Sequence, residues 1–342
     1  MTRALKIAII GAGRIGVVHG RSVATHPMAE LSLVADPNLK AAQAIASAYG
    51  PGTAAATAQV QDVFDAEVDA VIVGSPTAFH VPQIISGLRS GKAVLVEKPV
   101  DLDLARVDEC ITAAGADANR VMVGFNRRFD PAMAQVHARV QSGEIGELQQ
   151  LTIISRDPAP PPAAYLAGSG GIFRDMTIHD FDMARYFLGP IATVSAIGRS
   201  TRPESREAGD YDQAVTTLVA ESGAVATIIN SRHCAAGYDQ RLEAFGPDGS
   251  LEVGNVTATS VRVNTAAGTG IAEKFQDFFL DRYAQAYTAE LDRFVRCVLD
   301  ADAPSPDLID GREALVLADA ATQSANTGAP VVLADMTLTP GA

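Results

Sequence analysis

Asp175 and His179 stand four residues apart in Asp175-Met176-Thr177-Ile178-His179-Asp180, directly after a Gly-rich loop at Gly168–Gly171. Residues four apart share one face of a helix. Thr177, Phe181, Ala184 and Leu188 lay an apolar stripe on a different face, and Gly189-Pro190 ends the run. Histidine is the usual proton acceptor from an alcohol being oxidised near neutral pH, and a neighbouring carboxylate can orient it or bind another hydroxyl. Other readings stand beside this one. Asp175 could be only a helix N-cap. The histidine could be one of six serving packing or the surface. Asp175, His179 and Asp180 could ligate a metal, although one histidine with two acids and no partner motif is thin support. The expectation is therefore no metal.

A second constellation is Gly11-Ala12-Gly13-Arg14-Ile15-Gly16, a G-x-G-x-x-G loop directly after the apolar run Leu5–Ile10. In that setting Gly11 allows the tight turn, Gly13 lets backbone approach a pyrophosphate, and Gly16 permits close packing of helix on strand. Asp36 follows 20 residues after Gly16, at the end of a second apolar run. A carboxylate there can accept both ribose hydroxyls of an adenosine and repels a 2′-phosphate, which favours NAD over NADP. The alternative is a Gly-rich turn that binds nothing. Ser75-Pro76-Thr77, with His80 close behind, and Glu97-Lys98-Pro99 end two further apolar runs. Open α/β sheets bind ligands at such strand ends. These residues are expected at the cofactor, against the plainer readings of helix capping for Ser75 and Thr77 and a surface ion pair for Glu97 and Lys98.

The elements that must position these groups follow from periodicity. Leu5–Ile10, Leu31–Ala35, Val68–Val73, Ala93–Val96 and Val121–Phe125 are continuously apolar, and segments such as Val81–Leu88 and Leu104–Ala114 between them have helical spacing. Strands alternating with helices predict a doubly wound parallel sheet, a Rossmann arrangement, over 1–125. The pattern changes after Asn126. Ala132–Val140 reads as a connecting helix and Gln150–Ser155 opens a run of β-like segments. Ala214–Ala220 and Ala224–Asn230 flank one turn, Gln240–Ala244 and Ser250–Val253 another, and Val256–Val263 is a further strand candidate. Helices are expected near Ala286–Leu299 and Glu313–Ala325. Residues 126–342 are thus expected to form an α+β domain with a large, mostly antiparallel open sheet.

Composition narrows the partners. With 27 Lys plus Arg against 40 Asp plus Glu, the net charge is −13. That excludes a general nucleic-acid backbone binder and argues against docking on an anionic membrane. Three scattered cysteines without metal-type spacing fit a reducing compartment. No apolar run approaches a membrane span and no signal sequence is legible, so a cytoplasmic protein is expected.

The Gly loop, Glu97-Lys98-Pro99 and the Asp175/His179 pair, in this order, resemble the glucose–fructose oxidoreductase/inositol dehydrogenase (Gfo/Idh/MocA) family over nearly the whole chain. Val123–Asp130, Ser155–Pro158 and Gly171–Asp180 look most like the inositol 2-dehydrogenases within it. The resemblance implies NAD(P) and a cyclic polyol or sugar substrate, with an open sheet that supports oligomers, often tetramers. It makes Lys98 the active-site lysine, His179 the proton-relay base and Asp175 its partner, and it places Arg127, Asp157 and Tyr238 along the polyol pocket. Asp157 stands where some inositol dehydrogenases carry Asn, which changes hydrogen-bond polarity and leaves the preferred stereoisomer open. The expected activity is NAD-dependent oxidation of a ring hydroxyl of myo- or scyllo-inositol in inositol catabolism. The alternatives are a related sugar dehydrogenase or reductase and a non-enzymatic NAD-binding sensor.

Overall fold

Continuously apolar strands need cover on both faces, and a parallel sheet between helices supplies it. In the computed structural model, which describes residues 3–166 and 168–335, the first sheet contains β1 Leu5–Ile10, β2 Ala29–Ala35, β3 Ala55–Thr57, β4 Ala70–Val73, β5 Ala93–Glu97 and β6 Val121–Gly124. Their order is β3-β2-β1-β4-β5-β6 and every pairing is parallel. The helices α1 Arg14–Thr25, α2 Leu39–Tyr49, α3 Gln61–Asp65, α4 His80–Arg89 and α5 Leu104–Ala114 make the crossovers. Strand order reverses at β1/β4, the position where open α/β sheets hold their ligands.

The second sheet contains β7 Gln150–Arg156, β8 Ile191–Arg199, β9 Gln213–Ala220, β10 Val225–Ser231, β11 Asp239–Gly246, β12 Gly249–Val253 and β15 Val331–Val332, in the order β12-β11-β7-β10-β9-β8-β15. Both expected hairpins form, with Val225 opposite Val219 and Gly246 opposite Gly249. Only β7 and β10 run parallel; the other pairings are antiparallel. Burial alternates along β9 and β10, so one face packs on the core and the other does not. The packed face meets α6 Pro131–Gln141, α8 Ile178–Leu188 and part of α12 Leu308–Thr327, through Val136, Phe181, Phe187, Leu218, Ile228 and Leu317. The short helices α7 Ala163–Leu166, α9 Pro203–Glu207 and α10 Phe279–Arg282 lie in connections.

Three expectations change. The predicted strand Val256–Val263 reduces to an isolated bridge at Thr257 and an exposed two-strand arm, β13 Arg262–Thr265 with β14 Gly268–Ala272. Its apolar residues Val261, Val263 and Ile271 are exposed, so no buried face drives a longer strand. β3 and β8 were not singled out in the sequence. The single crossing expected at 125/126 also differs from the compact units. Among the described residues, one comprises 3–129 with Gln285–Leu315, the other the residues between Asp130 and Ala284 with 316–335. The reason is amphipathic packing: α11 Ala284–Asp300 inserts Leu291, Phe294 and Val295 among Ile7, Ile9, Leu31 and Ile72. No described helix is long and apolar enough to cross a membrane.

Candidate active site

The cofactor loop is shaped by close approaches that only glycine permits. Gly11 has φ +100°, and a Cβ there would lie 2.5 Å from the Gly74 carbonyl oxygen. A Cβ on Gly16 would lie 2.1 Å from the Gly11 carbonyl oxygen, so the first turn of α1 sits directly on the strand end. Gly13, the N-cap of α1, has nothing within 4 Å of its Cβ position and no side chain capping the helix. Open space over uncapped helix N–H groups is what a pyrophosphate requires, so these residues fit a dinucleotide. Arg14 and Ile15 open α1, and Ile15 lies under Gly74. Asp36 is half-buried, with Oδ2 accepting from Ala12 N–H at 2.7 Å and Oδ1 from Asn38 N–H at 2.7 Å. The carboxylate is thereby fixed beside the Gly loop and retains acceptor capacity for ribose hydroxyls. Asp36→Ala is expected to weaken NAD binding about tenfold or more and to narrow its lead over NADP. Fluorescence titration with both reduced cofactors checks this, and an unchanged ratio sinks the assignment.

The plainer reading of Ser75 and Thr77 as helix caps does not hold. Neither hydroxyl caps a helix: Ser75 Oγ donates to Gln83 Oε1 at 2.7 Å, and Thr77 opens a 3-10 turn whose N-cap is Pro76. His80, expected at the cofactor, is 1% exposed. Its Nδ1 faces the Pro99 carbonyl and its Nε2 the Ser75 carbonyl, each at 2.8 Å. Burial holds this imidazole below its ordinary pKa. The ring lies between the β4 and β5 loops with one nitrogen toward each carbonyl, and as a neutral imidazole it donates to one of them at a time.

Lys98 follows β5 and is half-buried. Beside it, Glu97 is no surface ion-pair partner: its Oε1 meets Nε2 of His19 at 2.8 Å, and His19 is 1% exposed. Glu290 on α11 lies fully buried near this pair, and neither of its carboxyl oxygens has a hydrogen-bond partner among the described residues. Burial and the Glu97 charge push Glu290 well above the usual carboxylate range. Its contribution to stability is fully present below the ordinary carboxyl pKa and is lost as pH rises toward the raised value, because the unfolded chain releases the proton first. Glu290→Gln should therefore melt a few degrees higher than the parent at pH 7.5, with the gap closing near pH 4. Equal melting temperatures across that range would refute a neutral Glu290. Arg127 lies in the 3-10 turn Asn126–Phe129 and is 4% exposed; its neighbour Arg128 pairs with Asp310 at 3.0 Å.

In the second unit, Asp175 sits in a π-helical turn, Phe173–Thr177, that leads into α8. The plain α-helix expected over Asp175–His179 is corrected: the pair straddles a widened turn, a feature that recurs at functional sites. The turn is anchored at both ends. Asp210 Oδ1 accepts from Ile172 N–H at 2.8 Å. At the other end Asp180, fully buried, accepts from Ser155 Oγ at 2.6 Å and Asn230 Nδ2 at 2.7 Å, and Thr177 Oγ1 donates to Asn230 Oδ1 at 2.9 Å. Those bonds make Asp180 structural. Asp175 is no N-cap either: its Oδ1 accepts from the Tyr165 hydroxyl at 2.8 Å and its Oδ2 from Arg232 Nη1 at 3.0 Å. His179 is half-buried on the first turn of α8.

Asp157 follows β7, half-buried, its N–H donating to the Ser231 carbonyl at 2.9 Å. Tyr238, expected at the substrate, is 6% exposed, with its ring edge-on to Phe278 and Tyr283. Sequence reasoning missed Arg232, Tyr165, Asp210, His19 and Glu290. Asp175 and Arg232 are 57 residues apart, and no local motif links them. An arginine ending an apolar strand, Val225–Ser231, was the available signal.

A model of an oxidoreductase family with an NAD-binding Rossmann fold matches residues 5–125, and a Gfo/Idh/MocA C-terminal domain model matches residues 133–252. An inositol 2-dehydrogenase of Rhizobium meliloti is 41% identical over 324 residues, 94% of this chain and 96% of the relative. The crystal structure of a myo-inositol dehydrogenase from Corynebacterium glutamicum superposes with a TM-score of 0.94 at 49% identity, covering 96% of this chain and 99% of that one. A scyllo-inositol dehydrogenase from Lactobacillus casei, solved with NAD(H) and scyllo-inositol, superposes with a TM-score of 0.88 at 29% identity, covering 97% of this chain and 100% of that one.

Proposed function

Because the chain belongs to the Gfo/Idh/MocA oxidoreductase family, we propose that it oxidises a ring hydroxyl of a cyclic polyol, inositol first among them, with NAD as the acceptor. The observation that carries this reading is the half-buried Asp175/His179 pair on its anchored turn, in a chain 41% identical to an inositol 2-dehydrogenase. His179 takes the hydroxyl proton, and Lys98 stabilises the negative charge that develops on that oxygen. Asp175, held as an acceptor by Tyr165 and Arg232, orients the substrate or the imidazole. Arg127 and Asp157 supply polar contacts to the remaining hydroxyls, and Tyr238 walls that pocket. When bound, the nicotinamide supplies the hydride acceptor. Asp36 selects NAD over NADP, while Gly11, Gly13 and Gly16 with Arg14 and Ile15 hold the pyrophosphate. Ser75, Thr77 and Glu97 line the strand ends around it.

Self-association, as a homotetramer, is part of the same reading. Ile154, Ile229, Val215 and Ile197 are register neighbours across four strands of the second sheet, and Ile197 is 66% exposed. An apolar row of this kind on an open sheet face suits a second copy of the chain. NADH production across myo-, scyllo- and chiro-inositol and D- and L-glucose tests the substrate. Turnover confined to the pyranoses would replace the inositol reading with a sugar dehydrogenase, and tight NAD binding with no turnover would favour a sensor.

A further inference from the structure

Arg232 is among the largest fully buried side chains of the protein, at 1% exposure. Its guanidinium spans two carboxylates, with Nη1 donating to Asp175 Oδ2 at 3.0 Å and Nη2 to Asp210 Oδ2 at 3.1 Å. Its main-chain N–H donates to the Asp212 carbonyl at 2.8 Å, so the backbone fixes the side chain's origin. Asp210 is itself tethered: its Oδ1 accepts from the N–H groups of Ile172 and Tyr211, at 2.8 and 2.7 Å. A Cβ on Gly171, which has φ +84°, would come within 3.0 Å of that same oxygen. The Gly-rich loop, the loop before β9 and the end of β10 thus converge on one cation, and Asp175 is the arm of this network with a half-buried carboxylate.

We propose that Arg232, backed by Asp210, is the positioning residue of the candidate active site: its direct ion pair fixes the Asp175 carboxylate in place, so that Asp175 presents an oriented acceptor. This rests on the assignment of Asp175 to the reaction made above. A buried arginine suits the task because its fork is rigid and its charge permanent. Burial works against that charge, and the carboxylates of Asp175 and Asp210 outweigh it, keeping the guanidinium above its ordinary pKa. Other charged or titratable groups lie on the neighbouring elements: Tyr165 on α7, which donates to Asp175, Asp157 after β7, which acts on Arg232, His179 on α8, and Arg174 on the same turn, the last tied to Asp319 of α12 at 2.6 Å. Arg232 bonds Asp175 directly, at 3.0 Å.

Charge arithmetic gives two tests of opposite sign. Arg232→Met removes the cation and leaves Asp175 facing Asp210, so the acidic limb of the kcat/KM–pH profile should move up by about one pH unit. Turnover should fall about 10–100-fold through lost orientation. Asp210→Asn removes a competing anion from the same cation, so the limb should move down by roughly half a unit. Arg232→Lys keeps the charge and loses the fork, so the limb should hold its place while turnover drops. Profiles are measured with NAD and the best polyol of the substrate panel, on variants whose melting curves and NAD affinity match the parent. Arg232→Lys and Asp210→Asn carry the test if Arg232→Met does not fold. Asp175→Asn is run in parallel. Near-parental turnover in Asp175→Asn overturns the role of Asp175 and this proposal with it. Loss of turnover in Asp175→Asn, with an acidic limb that stays put in Asp210→Asn and Arg232→Met, overturns the proposal alone.

Discussion

His179→Ala and Lys98→Ala are each expected to lower kcat about 10²–10⁴-fold while NAD affinity stays within a few-fold of the parent. In the proposed reaction, proton removal from an alcohol and stabilisation of the resulting oxygen charge are separate demands, the first assigned to His179 on α8 and the second to Lys98 after β5. Removing either leaves the Gly loop and Asp36 untouched, so cofactor binding should survive. Steady-state kinetics beside isothermal titration with NAD separates the two effects. A variant that keeps near-parental turnover removes that residue from the mechanism. A parallel loss of NAD affinity would point to a collapsed loop, with no conclusion about chemistry.

Gly11→Ala should act in the opposite way, on the fold and the cofactor together. The substitution places a side chain at φ +100° and drives a Cβ to 2.5 Å from the Gly74 carbonyl. Left-handed strain and overpacking each cost about 1–3 kcal/mol, and neither the β1 end nor the β4 end can retreat without breaking parallel pairing. A loss of about 2–4 kcal/mol in chemical denaturation is expected, with NAD affinity reduced tenfold or more as the loop shifts. Parental stability in Gly11→Ala would contradict the close approach. Gly13→Ala provides the contrast: nothing lies within 4 Å of its Cβ position, so stability should hold while pyrophosphate binding suffers.

Much of the first unit was legible because its signals are local. Apolar runs, Gly spacing and an acid at a strand end all lie within short stretches, and their physical meaning hardly depends on the rest of the chain. Leu104–Ala114 is a helix with the limits its periodicity indicated, and Asp130 caps α6 through Ala132 and Met133 N–H as an Asp-Pro helix start should. Val256–Val263 misled because β-like composition is not a strand unless a face is buried, and this segment buries none. The return of Gln285–Leu315 to the first unit was not legible, since an amphipathic helix does not say which core it will join.

The residue types themselves determined that a dinucleotide loop, a strand-end lysine and an acid–histidine pair exist here, and that an acidic chain must hold anions through local backbone N–H groups. Only the tertiary structure decided what each side chain faces. It turned His80 inward between two loops, satisfied Asp180 within the core, and placed Glu290, with no hydrogen-bond partner among the described residues, near Glu97 of the Glu97/His19 pair. It also set Arg232 against Asp175 across 57 residues of chain. Charge and hydrogen-bond partners come from neighbours in space. In a fold built on long-range strand pairing, those neighbours are mostly distant in sequence, so the partners that tune an acid or a base emerge only once the chain has closed on itself.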